Sequence, residues 1–489
     1  MRYHPTLCCL SLVLLALGVS GCRTKPTWKS GPDAAASTAI PLVSASPPVP
    51  ASSVGAINGE GVTESKDGPW TVRTAGSGGG IGVMGEGARM AKGGGYGTGR
   101  GLGAGPSKAR GMAPPPAPAP AVEEMDDSAA SGIAPGGPAR GAPMKAGSTD
   151  DNAAFDAFLT FLATWTDRAG MENRYQKLAV RDRRFIRVID AKGKPVPAAN
   201  VRVLGPDRDG AIWTGTTYGD GRIPFYAGLA KTGNTGTAPS AVEVSYGEHR
   251  GTSDWTGGDG ELSIQLKDLN GIGGAIQLDV LFIIDTTGSM SDEIERVKNT
   301  LLRVTERLRA LKTDFDLRYG AVLYRDIGDL YLTKTHPFTN EISAFDKALQ
   351  AVGAGGGGDG PESVNQGLAE AVAMDWRSGA AKVAFLIGDA PPHMDYQGDI
   401  PYGDSAVKAI GKGIRVHSVA ASGLDPVGTL VFRQTAQLTR GKFIFIEYGS
   451  AEESAKSHGV TGPVKSNNLD DIVFEQISDE LTNWGKASQ

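Results

Sequence analysis

Apolar and polar positions change period along this chain, and the changes mark its parts. From Leu278 to Ile284 the sequence is apolar apart from Asp279 and rich in β-branched residues, the pattern of a strand buried on both faces. Ile294, Val297, Leu301, Val304, Leu308 and Leu311 then recur at helical spacing, which predicts one buried helix face. The alternation continues to the end. Strands are expected at Leu317–Tyr324, Tyr331–Lys334, Lys382–Ile387, Ile414–Ala420 and Phe443–Ile446. Helices are expected at Ile342–Val352, Val364–Trp376, Ser405–Ile410 and Val427–Leu438, with a last one carrying Leu469, Ile472, Val473, Ile477, Leu481 and Trp484 on one side. Strands alternating with helices predict a doubly wound α/β domain over 273–487, with a parallel sheet covered on both faces.

Upstream the period shortens to two. Phe185–Ile189, Ala199–Val203, Trp213–Thr217, Ile223–Tyr226, Val242–Tyr246 and Glu261–Leu266 alternate as strands do, with Gly/Asp turns between them. Several short strands at this spacing predict a small all-β sandwich over 183–268. Residues 151–182 hold an aromatic helical stripe (Phe155, Phe158, Leu159, Leu162, Trp165), expected to be a docking helix and its connector. Residues 23–150 show no apolar period and carry Gly-rich and Pro-rich pieces. A chain that cannot build a core is expected to remain a disordered tether, with an r.m.s. reach of roughly 60 Å.

Composition narrows the picture. Among 489 residues the formal charge is −5 and 21% are charged, which gives no nucleic-acid footprint. The three cysteines, Cys8, Cys9 and Cys22, all fall in the first 22 residues, so no disulfide or thiolate chemistry is expected in the folded part. Residues 1–22 read as an export signal: Arg2, an apolar run from Leu7 to Val19, then Val-Ser-Gly-Cys. That ending resembles the bacterial lipobox, which implies lipidation of Cys22. Arg23 follows where an inner-membrane retention signal would place Asp, so an outer-membrane anchor in a bacterial cell envelope is expected.

The candidate chemistry lies between the strand ending at Asp285 and the helix after it. Asp285, Thr287 and Ser289 offer one carboxylate and two hydroxyls at alternate positions. A hard divalent cation wants several oxygen ligands, and a tight turn lets these converge. Helix capping is the plainer use of such residues; the preceding buried strand favours the metal reading. Asp285, Thr287 and Ser289 match the D-x-[ST]-x-S signature and resemble that of von Willebrand factor A domains. The resemblance implies a Rossmann-like sheet with a metal-ion-dependent adhesion site holding Mg²⁺, with Ca²⁺ or Mn²⁺ as alternatives. It also implies a further ligand from the Gly355–Glu362 loop, where Asp359 stands with Glu362 and Ser363 close behind. A last, usually water-mediated ligand is implied at Asp389, just after the strand Lys382–Ile387. The segment VIDAKGKPVPAANVRV resembles the carboxypeptidase-regulatory sandwich, which generally carries no catalysis.

The competing readings are weaker. No Gly-Lys-Ser/Thr follows the glycine run, so it is no phosphate loop. No Gly-x-Ser-x-Gly occurs. His393 and Asp395, like Asp326 and Asp329, read as solvated loop residues. The expectation is therefore a non-enzymatic, lipid-anchored envelope protein that binds a protein partner through its metal. An envelope hydrolase using His393 as base, and an accessory subunit of an ATP-driven chaperone, are the alternatives. If Asp359 coordinates alongside Asp285 and Asp389, the ion's cluster is net negative and serves mainly to order the binding loops.

Overall fold

The computed structural model describes residues 61–64, 70–74 and 143–488, apart from 167, 169, 172, 231–237, 258–259, 312–314 and 359. The export signal, Cys22, most of the 23–150 segment and Asp359 lie outside the described residues.

Numbering the elements of the C-terminal part in chain order gives β1 (Ile276–Asp285), α1 (Ile294–Ala310), β2 (Phe315–Tyr324), β3 (Thr333–Thr339), α2 (Ile342–Gln350) and α3 (Val364–Ala373). There follow β4 (Ala381–Gly388), α4 (Tyr402–Lys412), β5 (Ile414–Ala420), α5 (Pro426–Leu438), β6 (Phe443–Ile446), α6 (Ala451–Ser457), β7 (Lys465–Asn468) and α7 (Leu469–Ser488). Five strands run parallel in the order β2-β1-β4-β5-β6. The chain leaves β1 to one side for β2 and β3, then crosses to the other side for β4, β5 and β6. The gap between the C-terminal ends of β1 and β4 is therefore the switch point at which such sheets bind ligands.

β1 shows why its apolar run is unbroken. Leu278, Val280, Phe282 and Ile284 enter a core shared with α1, α2 and α7, while Leu281 and Ile283 enter one shared with α3, α4 and α5. Each such side chain stabilises the fold by about 1.5–3 kcal/mol. The one interruption, Asp279, is fully buried and bound by Arg318 Nε and Nη2 (2.9 and 2.8 Å) and by Arg377 N and Nε (both 2.9 Å).

Two expectations are corrected. The sheet is parallel only at its centre: β3 runs antiparallel to β2, and β7 lies antiparallel to Lys145–Thr149 at the far edge. The segment 23–150 is not structureless throughout. Gly61–Glu64 and Thr71–Thr74 form a hairpin on β3, and Lys145–Thr149 is inserted between β6 and β7. These strands carry little apolar pattern of their own and are recruited by open sheet edges. Gly147 lies so close to the Phe445 ring that a Cβ there would collide with it, and Trp70 is buried edge-on against His336.

Between residues 183 and 266 lie two small sheets, one of three strands and one of four. Ile186, Val188, Ile223 and Ile264 from one meet Val201, Val203, Val242 and Val244 from the other in a common core. His249–Asp254, polar and glycine-bearing, is an edge strand the period did not reveal. The helix Phe155–Ala163 buries Phe158 in this core, and its Phe161 and Leu162 also pack against the α3–α5 side of the large sheet.

Candidate metal centre

The site is built where β1 and β4 end side by side. Ile284 pairs with Ile387, which sets Asp285 level with Gly388, and Asp389 follows at once. Gly388 is required there, because a Cβ would strike the Tyr324 hydroxyl and approach Asp285 Cβ to 3.1 Å. Asp285 Oδ1 accepts hydrogen bonds from Thr287 N (2.9 Å) and Thr287 Oγ1 (2.6 Å). Thr287 Oγ1 lies 3.2 Å from Ser289 Oγ, which donates to Asp389 Oδ1 at 3.0 Å. One continuous chain of oxygens thus joins the four expected residues on either side of the switch point. From the fully buried Asp285 it reaches solvent at the exposed Ser289 and ends on the half-buried Asp389.

The glycine loop closes over this turn. Gly355 N donates to Thr286 O, and Gly288 N donates to Gly356 O, both at 3.0 Å. Gly356 and Gly357 have φ of +80° and +75°, a region that glycine enters without cost. A Cβ on Gly357 would lie 3.3 Å from Thr287 Cβ and 2.9 Å from Glu362 Oε1, so the Glu362 carboxylate reaches the edge of the motif turn. Glu362 is held by its backbone: its N–H donates to Pro391 O, and its carbonyl accepts from His393 N.

Carboxyl groups collect here, and among the described residues no Lys or Arg pairs with Asp285, Glu362 or Asp389. Asp285 Oδ2 and the Tyr324 hydroxyl are buried against each other, and Glu362 Oε2 is buried with no hydrogen-bond partner among the described residues. Burial pushes the Asp285 carboxyl up to about 7 and raises that of Asp389. Glu362 is pushed up to about 9, first by burial and then by repulsion from Asp285, Asp326, Asp329 and Asp389. Such an arrangement is costly unless protons or a cation neutralise it.

The acids set aside as solvated have other duties. Asp329 accepts from Gly357 N with both oxygens (3.1 and 2.9 Å) and from Asp326 N, fixing the glycine loop. Asp326 is buried, accepting from Ser363 Oγ and Tyr396 Oη, each at 2.8 Å. His393 is also buried, correcting its reading as a solvated residue. Its ring stacks on Tyr396, with Nδ1 2.8 Å from Asp395 and Nε2 3.5 Å from Asp326. Both ring nitrogens face carboxylates. Among the described residues no group of three or more His, Cys, Asp or Glu side chains is arranged to hold a metal ion by itself. The donors that converge are mixed, with two hydroxyls among them.

A doubly wound sheet with an oxygen-lined turn at its switch point defines a class, and the sequence comparison makes it specific. Residues 279–399 match the model of the von Willebrand factor A domain, and the chain contains such a domain. The alpha-protein kinase vwkA of Dictyostelium discoideum is 35% identical over 118 residues, 24% of this chain and 19% of that protein. The chain thus spans about a fifth of that relative's length. Among solved structures, the conserved hypothetical protein BatB from Bacteroides thetaiotaomicron aligns at TM-score 0.30 and 13% identity, covering 42% of this chain and 100% of that one. The pilus adhesin SpaC from Lactobacillus rhamnosus GG, in its open conformation, aligns at TM-score 0.31 and 13% identity, covering 60% and 34%. At such scores neither likeness supports a functional statement.

Proposed function

We propose that the A domain is a divalent-cation-dependent protein-binding module without catalysis of its own. Asp285, Thr287, Ser289 and Asp389 would hold Mg²⁺, or Ca²⁺ or Mn²⁺ in its place, with Asp359 of the glycine loop as a further donor. The observation that carries this reading is the chain of oxygens from Asp285 to Asp389, with the buried carboxyls of Asp285 and Glu362 beside it and no cation paired to them among the described residues. A bound cation supplies neutralising charge and, within a net negative cluster, serves mainly to order the loops that meet the partner. The chain's own residues do the positioning: Asp329 clamps the loop, Gly288 ties it to the motif turn, and Glu362 places a further carboxyl behind it.

The partner, on this reading, is a protein of the envelope or the cell exterior, the protein itself being anchored to the outer membrane through a lipid on Cys22. Among the described residues no helix is long and apolar enough to cross a membrane. The test is a pull-down from envelope extract by the full chain, with and without Mg²⁺, against Asp285→Ala. Capture that needs both Mg²⁺ and Asp285 supports the proposal; capture indifferent to both contradicts it.

A further inference from the structure

At the opposite end of the large sheet's strands, where the parallel strands begin, a cavity of about 380 Å³ opens between that sheet and the four-stranded small sheet. Its volume is in the range of small-molecule sites, ~300–1,000 Å³. Asn200, Thr216 and Tyr246 line it from the small sheet, and Trp376, Lys382 and Lys412 from the A domain. Thr216 Oγ1 donates to Gly411 O at 3.0 Å and ties the two walls together.

The two lysines set the chemistry. Lys382 is buried, and its Nζ donates only to neutral carbonyls, Ser378 O at 3.0 Å and Ala380 O at 3.3 Å. Lys412 Nζ likewise donates to Val372 O at 2.6 Å. Each ammonium has three donors. Among the described residues no carboxylate lies within ion-pair distance of either lysine. The acids facing Lys382 are committed elsewhere: Asp279 to Arg318 and Arg377, and Glu480 to Arg415. The acid facing Lys412, Asp375, is exposed at the surface. Burial lowers the affinity of both lysines for their protons; Lys412 adds its repulsion at Lys382, which falls to about 8, and the neighbouring Lys408 adds its own at Lys412. Two like charges on the wall of one cavity, both bonded only to neutral oxygens, are stabilised by an anion between them.

We propose that this cavity binds a small organic anion, its carboxylate or phosphate head between Lys382 and Lys412 and its apolar body against Trp376 and Tyr246. Bound there, the ligand joins the small sheets to the A domain at the end of the sheet remote from the candidate metal centre.

The test uses the full chain with phenyl phosphate, benzoate and inorganic phosphate as probes, read by calorimetry and by the thermal midpoint. Saturable binding of phenyl phosphate or benzoate, tighter than that of inorganic phosphate, is expected, and the tighter of the two names the head group. Lys412→Met, at an exposed position, should weaken binding about tenfold or more; Lys382→Met should abolish it. If Lys382→Met fails to fold, Lys412→Met decides. Asp285→Ala should leave the affinity unchanged, which separates this site from the proposed metal centre. No saturable binding of either aromatic anion, or equal affinity in wild type and Lys412→Met, would overturn the proposal.

Discussion

The two ends of β1 each bury an aspartate, six residues apart in one strand, in opposite electrostatic settings. Asp279, near the start, is clasped by two arginines, and Arg377 also bonds Asp316. Asp285, at the finish, meets no cation among the described residues, only the N–H and hydroxyl of Thr287 and the Tyr324 hydroxyl, and the carboxyl of Glu362 is buried nearby. A buried charge is tolerated when a partner meets it and is expensive when none does. Asp279 therefore reads as structural. Asp285 is met by hydrogen bonds but by no counter-charge among the described residues, and a cation is proposed there for that reason.

The contrast can be broken from either end. Asp279→Ala leaves Arg318 and Arg377 without their shared carboxylate and should destabilise the protein by about 3–5 kcal/mol, read from the denaturant midpoint of the metal-free protein. Asp285→Ala under the same conditions should cost far less. Equal losses would remove the distinction between the two aspartates.

Glu362→Gln sharpens it. The substitution keeps the side chain's shape and removes a buried carboxylate that lacks a counter-charge. Metal-free stability at pH 7 should stay level or rise, by up to about 1–3 kcal/mol, while divalent-cation affinity falls. A loss of stability in the metal-free protein would mean that Glu362 is paired in the fold after all.

A smaller effect tests the neutral side of the molecule. His458 is held neutral by burial and then by the nearby Arg433, so its folded-state value falls from 6.5 to about 4. His417 is depressed by burial in the same direction. The unfolded chain then binds more protons than the folded one between these values, so stability is full above 6.5 and declines as pH falls toward 4. His458→Gln should flatten that decline by about 1–2 kcal/mol, after discounting for partial exposure. An unchanged slope between pH 6.5 and 4 would contradict the assignment.

Much of this was legible in the residues because period and chemistry coincided. A strand buried on both faces, a turn with three oxygen donors and a helix with one apolar face specify one arrangement, and Asp285, Thr287, Ser289 and Asp389 are brought together in it. The edge strands were hidden for the opposite reason. Lys145–Thr149 reads KAGST, with no alternation strong enough to announce a strand, and is ordered by the two neighbours that bracket it. The burial of Asp326 and His393 was equally invisible, because loop polarity predicts exposure while partners such as Ser363 and Tyr396 arrive only with the tertiary fold. An Asp-x-x-Asp pair directly after a strand end was the available clue to the clamp on the glycine loop.

The central claim is that the uncompensated end of β1 is a cation site. Isothermal titration of Mg²⁺ into the metal-stripped full chain, beside Asp285→Ala, tests it most directly. The account predicts saturable binding of one ion per chain in wild type and loss of that binding in the variant. Wild-type protein that takes up no Mg²⁺, Ca²⁺ or Mn²⁺, or a variant that binds as tightly as wild type, would contradict it.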